Sequence, residues 1–136
     1  MTSPVLALRQ AILAAVQGDA ALAALMGGSV RLHDEPPRAA EPVYAVFGDV
    51  TAEDASTSSE RGHEQDIALT VWSREGSARS GIEVAERLAV LLDDAPLALA
   101  GHHLVNLRLR SLSAGRDPDT GLARVTLRLR AVTEVA

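Results

Sequence analysis

The run ARVTLRLRAV at 123–132 decides the fold. Val125, Leu127, Leu129 and Ala131 alternate with Arg124, Thr126, Arg128 and Arg130. That period of two sends successive side chains to opposite faces of a strand, so one face is apolar and the other carries guanidinium groups. Upstream, Val105, Leu107 and Leu109 alternate with Asn106, Arg108 and Arg110. Between the two runs, DPDTG at 117–121 concentrates residues that favour tight turns. The segment therefore reads as a β-hairpin with a core face and an arginine face.

Upstream of this hairpin, IALTVW at 67–72 alternates in the same way, and Val43 to Phe47 carries the β-branched and aromatic residues of another strand. Ser29 to His33 is a short extended piece, and the prolines of Asp-Glu-Pro-Pro at 34–37 disfavour helix and mark a connector. TAEDASTSSERG at 51–62 is polar and small, and reads as a long loop or mobile arm. Ser3 as N-cap, Pro4 at the first helical position and Gly18 as a stop bracket an amphipathic helix with Val5, Leu8, Ile12 and Val16 on one stripe, widened by Leu6 and Leu13. Asp19 starts a shorter helix that Gly27 and Gly28 end, and the two helices read as a small hairpin. A third helix spans about Ser80 to Asp93, with Ile82, Ala85, Leu88, Ala89 and Leu92 inward. Arg79–Glu83 and Glu83–Arg87 are its i,i+4 pairs, and Val90 falls on the polar side.

The expected order is α-α-β-β-α-β-β: an α+β domain whose mainly antiparallel sheet has helices packed on one face. A length of 136 residues suits one domain over 1–136, with the mobile arm at about 51–62. With no cysteine, thiol nucleophiles, zinc–thiolate sites and redox pairs are excluded, and a reducing compartment fits. All thirteen basic residues are arginine, yet the net charge is −5 and the aromatics are only Tyr44, Phe47 and Trp72. A dedicated nucleic-acid binder would carry a basic balance and stacking platforms, so that class is disfavoured. The sequence shows neither a targeting signal nor a membrane-length apolar run, so a soluble chain that stays where it is made is expected.

Fragments that suggest chemistry fail on their neighbours. Gly76-Ser-Ala-Arg-Ser-Gly81 has phosphate-loop glycine spacing, but Ile82 and Glu83 follow where Lys and Ser or Thr are needed. The turn at 117–121 begins like a calcium loop, but Leu122 and Arg128 occupy its glycine and carboxylate positions. His102 and His103 would point to opposite sides of a strand, and His33 and His63 have no ligand spacing. No catalytic residue, cofactor site or metal site is assigned. What remains is charge. Arg108, Arg110, Arg124, Arg128 and Arg130 crowd one hairpin face, while the arm and its flanks carry Asp49, Glu53, Asp54, Glu60, Glu64 and Asp66. These surfaces are either solvated or complementary between adjacent copies of the chain.

The layout resembles the tail completion, or tail terminator, proteins of long-tailed phages and gene transfer agents. The resemblance runs through the opening helix, VRLHDEPP at 30–37, PVYAVFGDV at 42–50, VWSREG at 71–76 and IEVAERLAVLL at 82–92. It continues through LALAGHHLVNLRLRS at 97–111 and DPDTGLARVTLRLRAV at 117–132. It implies a non-enzymatic subunit of a homo-hexameric ring that caps the head-proximal end of the tail tube and stops its growth. The implied partners are further copies of itself, the tube protein and a head–tail connector or stopper. DNA would pass through without specific binding and no membrane would be involved. The implied location is the tail of a virion or phage-like particle, assembled in the bacterial cytoplasm. Weak repulsion of passing DNA by an acidic ring fits that role. The alternatives are a tail tube or other head–tail joining protein, a non-viral α+β adaptor, or a small enzyme.

Overall fold

A computed structural model describes residues 3–38, 41–74 and 78–136. The glycine-spaced segment at 76–81 thus begins outside the described residues. Helices α1 (Pro4–Gln17) and α2 (Ala20–Leu25) precede strands β1 (Leu32–His33), β2 (Val43–Asp54) and β3 (Gly62–Ser73). Helix α3 (Arg79–Leu92) and strands β4 (His102–Arg116) and β5 (Ala123–Val135) complete the chain. The sheet order is β1-β2-β3-β5-β4, antiparallel throughout except for the β1–β2 pair. The α+β expectation holds, with the short extended piece adding β1 to the expected order.

β5 is the organising strand. It pairs β3 without a register break from Gly62↔Glu134 to Ser73↔Ala123, and pairs β4 on its other side. Its apolar residues Val125, Leu127, Leu129 and Ala131 are all buried. They join Ile67, Leu69, Val71 and Leu107 beneath Leu8, Ile12 and Val16 of α1 and Val84, Leu88 and Leu92 of α3. Each of the Val, Leu and Ile side chains contributes about 1.5–3 kcal/mol of transfer free energy when fully buried. Gly81 lets the first turn of α3 sit against the sheet, since a Cβ there would lie 3.1 Å from Val125 Cγ2.

The hairpin turn has the chemistry its residues predict. Asp117 Oδ1 accepts from the Asp119 backbone N–H at 2.8 Å, and Gly121 takes the positive φ of 74° that its missing Cβ permits. Ser3 Oγ caps α1 by accepting from Leu6 N–H at 3.2 Å, and Leu6 itself points away from the apolar stripe, exposed to solvent.

Four local features differ from the sequence reading. The polar stretch after Phe47 is not a loop from residue 51: β2 runs to Asp54 and pairs with β3 from Thr51↔Asp66 to Asp54↔His63. The ladder supplies backbone partners that the polar side chains do not advertise. α1 and α2 rest on α3 instead of forming a hairpin with each other. Val105 leaves the core face, because the β4 register shifts between Leu104 and Asn106; it is 47% exposed. Arg79 pairs Glu83 at 2.9 Å, but Arg87 turns to Asp19.

That last contact ties α2 to α3. Arg87 donates from Nε to Asp19 Oδ2 at 2.9 Å and from Nη2 to Oδ1 at 2.8 Å, while the same carboxylate caps α2 through Leu22 N–H at 2.8 Å. The Arg87 bonds, followed by the Leu22 bond, lower the Asp19 pKa from 3.8 to about 2. A depressed folded-state pKa gives a contribution that is complete above the unfolded value and lost as pH falls through the folded one. Asp19→Asn keeps a capping side chain but removes the charge. The stability gap between wild type and Asp19→Asn in urea melts should therefore shrink from pH 4 towards pH 2, the window those two pKa values define. A gap unchanged across that range would contradict the account.

Gly62 sits where the extended hairpin leaves the core, and a Cβ there would lie 2.9 Å from the Thr133 carbonyl oxygen. Gly62→Ala should cost about 1–3 kcal/mol, the usual range for overpacking, measured by chemical denaturation.

Candidate functional site

Histidines and carboxylates form no group of three or more able to hold a metal ion among the described residues. His33 Nε2 lies 2.7 Å from Glu41 Oε1. His102 is buried and His103 exposed, in keeping with opposite sides of the strand. No helix among the described residues is long and apolar enough to cross a membrane.

The charged surface lies on the sheet face opposite the helices. The β4–β5 ladder sets Arg108 opposite Arg130, Ser111 opposite Arg128 and Gly115 opposite Arg124, and shifts register around Arg110. Like charges directly opposite each other repel. The Arg108–Arg130 pair is relieved by carboxylates on either side. Arg130 pairs with Glu64 of β3, and Arg108 Nε lies 3.4 Å from Asp93 Oδ1 at the end of α3. Asp93 is also fixed by Leu109 N–H at 2.9 Å.

Arg124 and Arg128 differ: among the described residues no carboxylate forms an ion pair with either. Together they line an open cleft of about 340 Å³ with Thr70, Ser113 and Thr126, and Asp49 stands in its wall. The cleft exists because Gly48 and Ala68 are small on the adjacent strands β2 and β3 beneath it; Gly48's absent Cβ would be only 3.3 Å from Ala68. Arg124 reaches over β4, where a Cβ on Gly115 would come within 3.8 Å of its Nη2.

The acidic residues lie along the hairpin formed by the far ends of β2 and β3. Glu53 faces Glu64, and Asp66 stands between Thr51 and Arg130 in the two ladders. Asp54 Oδ1 accepts from the Ser56 hydroxyl at 2.5 Å and its N–H at 3.0 Å, and those bonds, the hydroxyl first, lower its pKa. The connecting turn is built: Thr57 N–H donates to the Glu60 carbonyl at 2.8 Å, and Glu60 N–H donates to Thr57 Oγ1 at 3.1 Å. Of the sequence-assigned residues, the structure brings together Arg130, Glu64 and Asp66. It brings Arg124 and Arg128 to one cleft, and leaves Glu53, Asp54 and Glu60 on the exposed hairpin. Sequence reasoning misses Asp93 and the hydroxyls of Thr70 and Ser113, which only strand register brings to the arginines.

The fold is thus an α+β sheet with one helix-covered face and one charged face. Residues 10–134 match the family described as Tail completion protein gp17, and the chain belongs to that family. A solved chain from the virion of a native gene transfer agent particle is similar over nearly all of both molecules. The identity is 27%, the TM-score 0.89, and coverage 98% of this chain and 99% of that one. No curated protein matches the chain. Family membership makes this a phage-type tail structural protein and sets aside the non-viral adaptor reading.

The Glu64–Arg130 pair within one chain should show in a double-mutant cycle of Glu64→Gln and Arg130→Gln. The expected coupling is about 0.2–1 kcal/mol, falling with added salt. Zero coupling at low salt would mean that Arg130 is free for other partners.

Proposed function

We propose that this protein is a tail terminator: six copies form a closed ring that caps the head-proximal end of the tail tube, halts tube growth and docks the head connector. The observation that carries the reading is the agreement of the whole chain with a virion protein, together with a family match spanning 10–134. The sheet edges suit a ring. β4 is an edge strand along its full length, and β2 is an edge beyond the residues that β1 pairs, Ala45 and Val46. These two edges lie on opposite sides and differ in charge, with Arg108, Arg110 and Arg116 on β4 and Asp49, Glu53 and Asp54 on β2. Contacts between unlike surfaces propagate head to tail and close into a ring when the rotation permits.

In this role the protein acts without a cofactor. Its partners are neighbouring copies, the tube protein and the connector or stopper. DNA passes the ring without specific binding, and the ring resides in the particle's tail after assembly in the bacterial cytoplasm. The far hairpin at about 51–62 is the arm that gains contacts on assembly, which offset the entropy lost in fixing it. A tail tube subunit is the second reading, favoured by the same free edges.

Native mass spectrometry of the protein, alone and with tube protein, should find a six-copy species; monomers throughout would rule the ring out. In particles made without this protein, tails should be over-long or uneven and filled heads should lack tails. Normal joined tails under electron microscopy would contradict the terminator role.

A further inference from the structure

We propose that the cleft holding Arg124 and Arg128 is a socket for the acidic tip of the β2–β3 hairpin of a neighbouring copy. The proposal rests on the ring reading above and names the contact that sets its register.

Three observations lead to it. First, the cleft is a concave site of about 340 Å³ whose two guanidinium groups lack a carboxylate ion pair among the described residues. Thr70, Thr126 and Ser113 add hydroxyls, so the site presents donors suited to an incoming carboxylate. Second, the hairpin tip presents matching groups. Glu53 and Glu60 are exposed without an ion-pair partner among the described residues, on a turn held by its own Thr57–Glu60 bonds. Docking such a turn loses less conformational entropy than ordering a free loop.

Third, a chain cannot fill its own socket. Thr70 lies eight positions along β3 from Gly62, where the hairpin leaves the core, which is about 26 Å of strand at a rise near 3.3 Å per residue. The tip lies farther out still, and the unbroken β3–β5 ladder keeps the strand from folding back. The occupant must come from a second molecule, so the contact is head to tail. Duplex DNA is the disfavoured occupant, because Asp49 stands in the wall and the chain is net acidic at −5.

The test uses full-length chains with reversed charges on either side. Arg124→Glu with Arg128→Glu gives a reversed socket, and Glu53→Arg with Glu60→Arg a reversed tip. Each variant alone should need about tenfold more protein to assemble, because two exposed attractions become repulsions. Mixed in equal amounts, the two variants should regain assembly as alternating copies, since each reversed socket then meets a reversed tip. Arg124→Gln with Arg128→Gln, which adds no repulsion, should give an intermediate loss and guards against misfolding of the reversed form. Wild-type oligomers unchanged in all variants would overturn the socket and leave the ring reading standing. A wild type that stays monomeric with and without tube protein would overturn both. Retention of duplex DNA that is lost in the socket variant, with assembly intact, would assign the cleft to nucleic acid and overturn the proposal.

Discussion

The structure depends on the continuous pairing of β5 with β3. That ladder fixes which face of β5 is inside, because a one-residue slip would exchange Leu127 and Leu129 for Arg128 and Arg130. Burying two guanidinium groups beneath α1 and α3 would be far costlier than any gain on the outer face. The register is therefore strongly specified, and it sets the helix-covered core, the cross-strand neighbours of each arginine and the rigid base of the protruding hairpin. Charge placement at the outer face is a consequence of chemistry at the inner one.

The same ladder sorts the charges into two kinds. Arg130 and Arg108 have partners within the chain, so they help to hold together strands that would otherwise set like charges face to face. Arg124 and Arg128 lie nearer the turn, where β2 bulges between Phe47 and Val50 and the neighbouring residues are small. Space there replaces partners. A surface that looks uniform in sequence thus divides into a part paired within the chain and a part without ion-pair partners among the described residues.

Much of this is legible in the sequence. The alternation at 123–132, the DPDTG turn and the Ser3 and Asp19 caps each rest on local rules, and the structure has each in its expected place. In α3, Ala85, Leu88 and Leu92 are buried as expected, Ile82 and Ala89 are half-buried, and Val84 joins the core. The polar arm is not legible, because Thr51 to Asp54 owe their strand to backbone pairing with His63 to Asp66, which side-chain polarity does not reveal. Local spacing assigns Arg87 to Glu83, since it cannot show that Asp19 lies closer across a helix interface. The arginine face is legible as a composition. Its division is not, since Asp93 and Glu64 approach Arg108 and Arg130 only through tertiary structure.

We propose that unlike surfaces of adjacent copies meet head to tail around a closed ring. Electron cryo-microscopy of the protein assembled on tube ends tests it most directly. The account predicts six-fold closure with each hairpin tip seated against Arg124 and Arg128 of the next copy. A ring joined through the helical face, or an open filament with the cleft empty, would contradict it.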